Sequence, residues 1–269
     1  MKKAHSRKVV LSIIVPVYNS QNILPKLVNS IFLLLKKKKI IFEIFLVNDF
    51  SQDNSWEVIK NLSSNYKFVK GINLSENFGQ HNAIIAALNQ CNGKNIITID
   101  DDLQHSPDNI IDIYHELLKG FDVCYVNYIG RKHEKWKIFF SYISNIISSF
   151  LLNKPLEIYC SSYKGFNRNV LKEIIKYKKS NVYIDGLILN FTRNISMISV
   201  PHYPRLEGKS NYNFSKLFCL WCNMIENFPI KPFRLATFVG LFLKLIIILF
   251  KKKSNHKKQY AIINKTYNN

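Results

Sequence analysis

Short apolar runs alternate with helix-patterned segments over the first half of the chain, and this alternation constrains the fold more than any other feature. The first run, residues 9–19, is almost continuous in β-branched and other apolar residues, which is typical of a strand buried on both faces of a sheet. Strands and helices that alternate at this spacing predict a parallel, doubly wound α/β sheet. Strands are expected at 9–19, 41–47, 68–72, 96–99 and 122–126, and helices at 21–35, 54–63, 80–90 and from 106 onward.

Three consecutive carboxylates, Asp100, Asp101 and Asp102, follow the predicted strand at residues 96–99. Adjacent acids repel one another, so a cation is expected to neutralise the cluster. In an open α/β sheet, ligands bind in the crevice beyond the carboxyl ends of the strands. The cluster therefore indicates a divalent metal that holds a diphosphate. The alternative interpretation is a solvated acidic loop before a helix that begins near Pro107.

The charge distribution narrows the class of partner. The formal net charge is +20, yet residues 1–42 and 251–269 contain no acidic residue at all. Basic ends favour a polyanionic partner, and both nucleic acid and an anionic membrane surface fit that charge. A nucleic-acid-binding module would interleave basic residues with exposed aromatic residues along one surface. Here the basic residues lie at the termini and beside apolar helices, so no nucleic-acid partner is expected.

Several common site types are missing from the sequence. No GxGxxG or Walker-type glycine loop occurs, so an ordinary dinucleotide fold or P-loop enzyme is not expected. The five cysteines form no disulfide framework in a chain of this length, which favours a reducing cytoplasm. Histidines such as His81 lack HxxxH or HExxH spacing, which favours surface or loop positions for them.

The carboxyl-terminal third carries a membrane signal. Residues 235–250 are all apolar or small except Lys244, but a spanning helix needs about 20 residues. An interfacial helix is therefore the first interpretation, a short tilted span the second and a core helix the third. This predicts a catalytic domain over residues 1–212, membrane-associating helices over 213–253, and a basic tail over 254–269.

Four separated segments, 12–19, 46–53, 77–80 and 99–104, carry a resemblance to a known family. Their order and spacing resemble the inverting family 2 glycosyltransferases of GT-A fold, in particular the polyprenyl- and dolichyl-phosphate sugar synthases. The loop at residues 205–212 is similar to one that this branch carries just before its membrane segment. The resemblance implies a GT-A-type, doubly wound and mostly parallel sheet, followed by an amphipathic or membrane-associated helical segment.

The resemblance also implies a donor site. Asp49 would accept a hydrogen bond from a uracil edge, although Asn48 stands where relatives often have a first aspartate. The metal, Mg²⁺ or Mn²⁺, suits hard oxygen ligands; no ligand role falls to Asp101. The expected metal ligands are Asp100, Asp102 and Gln104, and the expected nucleotide-binding residues are Pro16, Tyr18, Asn19, Asp49 and Asp100.

The acceptor decides which catalytic residues are needed. A lipid phosphate is already ionised and needs positioning more than deprotonation, whereas a sugar hydroxyl needs a base, for which Asp185 is the candidate. The alternative for Asp185 is a helix N-terminal carboxylate. The expected phosphate-binding residues are Arg131, Lys137, Ser141, Arg205 and Lys209, and the expected catalytic residues are Asp102, Arg131 and Asp185.

These expectations combine into one function. We expect a metal-dependent inverting glycosyltransferase that moves a sugar from a nucleotide donor, with UDP as the expected nucleotide, to polyprenyl phosphate. It would act at the cytoplasmic face of an anionic membrane, either peripherally or through a single short membrane segment. The alternative is the same fold with a surface glycan or a lipid-linked saccharide as acceptor. Self-association is left open.

Overall fold

The computed structural model describes residues 9–104, 106–129, 145–146, 148–149, 152, 154–180, 182–201 and 259–267. Eight strands of this part form one mixed sheet. They are β1 (Leu11–Val17), β2 (Phe42–Asn48), β3 (Val69–Leu74), β4 (Asn95–Thr98), β5 (Val123–Ile129), β6 (Lys164–Asn167), β7 (Ile195–Pro201) and β8 (Ile262–Lys265). The helices are α1 (Leu24–Lys37), α2 (Ser55–Asn65), α3 (Gln80–Leu88), α4 (Asn109–Leu118), α5 (Arg168–Ile174) and α6 (Ile184–Phe191).

The strand order across the sheet is β7-β5-β6-β4-β1-β2-β3-β8. The central strands β3, β2, β1 and β4 are mutually parallel, and β5 runs parallel to β7. Strand β6 is antiparallel to both β4 and β5, and β8 is antiparallel to β3. Six strands therefore point the same way, and we call the edge where they finish the carboxyl-terminal end of the sheet.

Both faces of the sheet are buried, as the apolar runs predict. Successive residues of β1 point to opposite faces, so Ile13 packs with α1, α2 and α4, while Ile14 packs with α3, α5 and α6. Both side chains are fully buried, and burying an isoleucine stabilises a fold by about 1.5–3 kcal/mol. Helices on both faces of a mostly parallel sheet confirm the doubly wound α/β prediction.

The opposite, amino-terminal end of the sheet holds a buried acid. Glu43 on β2 is 2% exposed and accepts hydrogen bonds from Ser12 Oγ (2.6 Å), Lys70 Nζ (2.7 Å) and the Asn92 amide (2.6 Å). Gly93 donates its own amide to the same Ser12 hydroxyl, and a Cβ at Gly93 would lie 2.5 Å from that oxygen. The charge of Glu43 is thus compensated within the sheet, as buried carboxylates require.

Strand β8 extends the sheet beyond β3, with Ile72 opposite Lys265 and Leu74 opposite Ile262. The Gly71 amide donates to Thr266 Oγ1 over 2.7 Å. These residues fall in the predicted basic tail, for which no strand is expected from the sequence. Within the described ranges, no helix is long and apolar enough to cross a membrane. The apolar run at 235–250 lies outside those ranges, so the predicted division into domains stays a prediction.

Candidate active site

Hydrogen bonds join the loops after β1 and β2 at the carboxyl-terminal end of the sheet. The Asn19 amide, after β1, donates to Ser51 Oγ over 3.0 Å, and Asn19 Oδ1 accepts the Gln52 amide over 2.7 Å. Asn19 has a φ of 56°, a left-handed conformation that asparagine tolerates better than most residues. The predicted nucleotide-binding residue Asn19 thereby joins the loop after β1 to the loop after β2.

Pro16 and Tyr18 lie at the same end of β1. Pro16 is paired in register with Val47 of β2, beyond the last residue of β1 that pairs with β4. Its missing amide hydrogen therefore costs the sheet little. The Tyr18 side chain is 42% exposed, which leaves its ring open to a ligand. Both residues are expected to line the nucleotide pocket, and that role stays a prediction.

The acidic loop after β4 brings Asp100 between two side-chain donors. Gln80 Nε2, from the start of α3, donates to Asp100 Oδ1 over 2.7 Å, and Ser162 Oγ donates to Asp100 Oδ2 over 2.5 Å. Further along, Asp102 Oδ1 accepts the Gln104 amide over 3.1 Å in a tight turn through Leu103, whose φ is 55°. The three predicted metal ligands therefore lie within five residues of one another at the end of β4.

Asp101 has a different task from its two neighbours. It accepts hydrogen bonds from Ser20 Oγ over 2.5 Å and from the Tyr18 amide over 3.1 Å, so it joins the acidic loop to the loop after β1. Burial raises the pKa of Asp101 to about 6, against the effect of these hydrogen bonds, and the charges of Asp100 and Asp102 add to the rise.

This donor set fits a hard divalent cation. The described residues contain no group of three or more His, Cys, Asp or Glu side chains arranged to hold a metal by themselves. Mg²⁺ and Mn²⁺ do not need such a cage, because Mg²⁺ is typically held by one or two carboxylates together with substrate phosphates and water. Two carboxylates and an amide oxygen from Asp100, Asp102 and Gln104 match that chemistry.

Asp49 is held by the loop that precedes α3. The side chain is 5% exposed and accepts the Phe78 amide over 2.8 Å and the Gly79 amide over 2.9 Å. Gly79 has a φ of 85°, which favours glycine at this position. The uracil contact of Asp49 stays a prediction.

Asn48 uses its side chain in a way that an aspartate could not. Asn48 Nδ2 donates to Asn73 Oδ1 over 2.7 Å, while Asn48 Oδ1 accepts the Ser51 amide over 3.3 Å. The residue is 3% exposed, so it supports the ends of β2 and β3 from inside. An ionised aspartate only accepts hydrogen bonds, so with an aspartate here Asn73 would have to be the donor.

Asp185, the candidate base, lies in a buried ion pair. It occupies the first turn of α6, is 5% exposed, and its Oδ1 accepts hydrogen bonds from Lys164 Nζ and from Tyr125 OH, the latter over 2.9 Å. Burial and the charge of Asp185 raise the pKa of Tyr125 well above its usual value. The carboxylate is therefore engaged by two donors of the protein itself. The catalytic assignment of Asp185 stays a prediction.

His81 lies beside this ion pair. Its ring packs edge-on against Tyr183 at 5.4 Å and its Nδ1 is buried, although the residue as a whole is partly exposed. Burial lowers the pKa of His81 to about 4, partly offset by the charge of Asp185. The imidazole is therefore neutral at physiological pH.

The remaining predicted site residues lie outside the described ranges. They are Arg131, Lys137, Ser141, Arg205 and Lys209. Their roles toward an acceptor phosphate stay predictions. Three residues that contact the acidic loop were not predicted as site residues: Gln80, Ser162 and Ser20. Gln80 does fall within the segment 77–80 that carries the family resemblance.

Comparison with known families decides the class. The family described as Glycosyl transferase family 2 matches residues 12–175, which include the ends of β1, β2 and β4 and the acidic loop. The chain belongs to this family. It is a glycosyltransferase, as the sequence resemblance predicted.

Two curated relatives of this family 2 glycosyltransferase share a single activity. An undecaprenyl-phosphate 4-deoxy-4-formamido-L-arabinose transferase from Yersinia pestis is 30% identical over 241 residues, covering 89% of this chain and 74% of the relative. The enzyme of the same name from Pseudomonas savastanoi is 30% identical over 242 residues, covering 89% and 72%. Both names state a polyprenyl phosphate as the acceptor.

Solved structures agree on the fold. Glucosyl-3-phosphoglycerate synthase from Mycobacterium tuberculosis, in complex with Mn²⁺, UDP and phosphoglyceric acid, has a TM-score of 0.62 at 15% identity, covering 82% of this chain and 79% of that one. TarS from S. aureus, in complex with UDP-GlcNAc, has a TM-score of 0.55 at 22% identity, covering 83% and 68%. These similarities confirm the GT-A-type α/β fold of this family 2 glycosyltransferase.

Proposed function

We propose that the protein transfers a sugar from a nucleotide donor, with UDP as the expected nucleotide, to polyprenyl phosphate, with Mg²⁺ or Mn²⁺ as cofactor. One observation carries the proposal: Asp100 and Asp102 are held in an acidic turn beside the locked loops after β1 and β2, at the ligand-binding end of the sheet. The acceptor class is supported by the names of the curated relatives, which act on undecaprenyl phosphate.

The donor would lie across the ends of β1, β2 and β4. Pro16, Tyr18, Asn19 and Asp49 would surround the nucleoside, and Tyr18 offers an exposed ring for the base. Asp100, Asp102 and Gln104 would hold the metal. When bound, the cation supplies positive charge that stabilises the departing nucleoside diphosphate. UDP in the related solved structures supports uracil as the base.

The state of Asp185 supports a phosphate acceptor over a saccharide. A sugar hydroxyl must lose a proton during transfer, and the reaction then needs a general base. Asp185 was the candidate for that base, yet its carboxylate is bound by Lys164 and Tyr125. A polyprenyl phosphate oxygen is ionised before it reacts, so the chain needs only to orient it. We assign this task to Arg131, Lys137 and Ser141, with Arg205 and Lys209 closing over the phosphates.

The acceptor also implies a place in the cell. Polyprenyl phosphate resides in a bilayer, so we place the enzyme at the cytoplasmic face of the membrane, where nucleotide sugars are available and the basic termini meet anionic lipid. The segment 213–253 would supply the attachment.

Nucleotide release tests the proposal directly. Purified protein is incubated with a panel of UDP- and GDP-sugars and Mn²⁺, with and without polyprenyl phosphate, and free nucleotide is measured over time. We expect release that requires both the metal and the lipid phosphate. Ser64→Ala, on the exposed face of α2, serves as a control with normal turnover. Donor binding without lipid-stimulated release would favour a saccharide acceptor, and no donor binding at all would refute the proposal.

A further inference from the structure

We propose that Gln80 and Ser162 are positioning residues that hold the Asp100 carboxylate in the orientation the metal requires. The inference rests on the proposed function, because it assumes that Asp100 binds the cation of the donor diphosphate. It adds two residues that lie outside the acidic loop itself. One comes from the segment before β4, and the other lies 62 positions further along the chain than Asp100.

The two donors approach different oxygens of the same carboxylate. Gln80 Nε2 reaches Oδ1 from the first residue of α3, and Ser162 Oγ reaches Oδ2 from the loop before β6. A hydrogen bond on each oxygen prevents the carboxylate from rotating about its χ2 angle.

Ser162 is held firmly by its neighbours. Its carbonyl oxygen accepts a hydrogen bond of 2.6 Å from Thr98 Oγ1, at the end of β4, and Thr98 is 1% exposed. Two residues later, Lys164 is buried and forms the ion pair with Asp185. The Ser162 hydroxyl therefore projects from a short segment that is held at the Ser162 carbonyl and at Lys164. A group that orients a metal ligand requires such support.

Gln80 is held by the turn that starts α3. Gly79, immediately before it, adopts a positive φ and donates its amide to Asp49 Oδ2. Asp49 is itself buried at the end of β2. The position of the Gln80 side chain thus depends on Asp49, which connects the expected nucleotide-binding residue to the expected metal ligand through one turn of backbone.

Neighbours that orient metal ligands have measurable effects on metal binding. Removal of such a partner typically costs 10–100-fold in metal affinity, because the ligand must then be ordered when the metal binds. A merely structural role for Gln80 and Ser162 predicts a different result. In that case their loss would lower the stability of the fold and leave the metal affinity of the folded protein unchanged.

Mn²⁺ binding distinguishes these two roles. The signal of free Mn²⁺ in electron paramagnetic resonance is titrated with the full chain in the presence of saturating UDP. Gln80→Leu and Ser162→Ala are compared with wild type, with Ser64→Ala as the matched control and Ser162→Thr as the variant that restores a hydroxyl. We expect Kd for Mn²⁺ to rise about 10–100-fold in each of the first two variants and to stay at the wild-type value in the others.

The outcomes separate this inference from the proposed function. Wild-type affinity in folded Gln80→Leu and Ser162→Ala would overturn the positioning role and leave the function standing. Absence of Mn²⁺ binding in wild type with UDP would overturn both the metal requirement and this inference. If Ser162→Ala does not fold, Gln80→Leu and Ser162→Thr still test the positioning role. Weak Mn²⁺ binding by Ser162→Thr would count against a role for the hydroxyl.

Discussion

Acidic side chains have opposite surroundings at the two ends of the sheet. At the amino-terminal end, Glu43 is buried and bound by Lys70, Ser12 and the Asn92 amide, so its charge is compensated by the sheet itself. At the carboxyl-terminal end, Asp100, Asp101 and Asp102 share one turn, where burial raises the pKa of Asp101 and the charges of its two neighbours add to the rise. One arrangement serves stability, and the other keeps negative charge concentrated where a cation can bind.

The largest expected effect is at Asp102. Asp102→Asn removes a predicted metal ligand and should lower nucleotide release about 100- to 1,000-fold, since stabilisation of the leaving group is lost. Its thermal midpoint without metal should equal or exceed that of wild type, because repulsion within the turn decreases. Turnover assays and thermal unfolding in a metal chelator measure the two quantities. A large loss of stability would show that the acid at this end is structural.

Glu43 should behave in the reverse manner. Glu43→Ala leaves the Lys70 ammonium, the Ser12 hydroxyl and the Asn92 amide without their shared acceptor, and should lower the free energy of unfolding by about 3 kcal/mol. The fraction that remains folded should release nucleotide at the wild-type rate. Urea denaturation gives the first value and turnover per folded molecule the second. The comparison fails if turnover falls while stability is retained.

His81 provides a smaller, pH-dependent test at the carboxyl-terminal end. Its pKa is about 4 in the folded chain, against 6.5 for the ordinary side chain, so the unfolded chain takes up the proton first as pH falls. The stability contribution is therefore fully present above about pH 6.5 and decreases toward pH 4. Between pH 7 and pH 5 wild type should lose about 2 kcal/mol through this group.

His81→Gln removes this titration. Between pH 7 and pH 5 the free energy of unfolding of the variant should therefore fall by about 2 kcal/mol less than that of wild type, as measured by urea denaturation at each pH. His115→Gln, at an exposed position on α4, is the matched control and should leave the pH dependence of wild type in place. Equal losses in wild type and His81→Gln would mean that His81 is already charged in the folded protein.

The sequence pattern predicted the amino-terminal half of the fold. Strands β1 to β4 and helices α1 to α4 lie within about three residues of their expected positions, because long apolar runs and helical periodicity are properties of contiguous sequence. The acidic turn could be identified for the same reason. Three adjacent aspartates at the end of a buried strand are visible without any knowledge of tertiary contacts.

Contacts between distant segments could not be predicted. Strand β6 inserts antiparallel between β4 and β5, although it follows β5 along the chain. No periodicity in the sequence specifies that pairing. The contact of Ser162 with Asp100 and the ion pair of Lys164 with Asp185 depend on it, so periodicity does not specify them either. Such pairs form only when the whole sheet assembles, so their chemistry cannot be read from either partner alone.

The position of β8 has a consequence for membrane topology. Pro201 ends β7 at one edge of the sheet, and Gln259 precedes β8 at the other edge, both at the carboxyl-terminal end. Because β7 and β8 belong to the same sheet, Pro201 and Gln259 lie on the same side of any bilayer that the protein contacts.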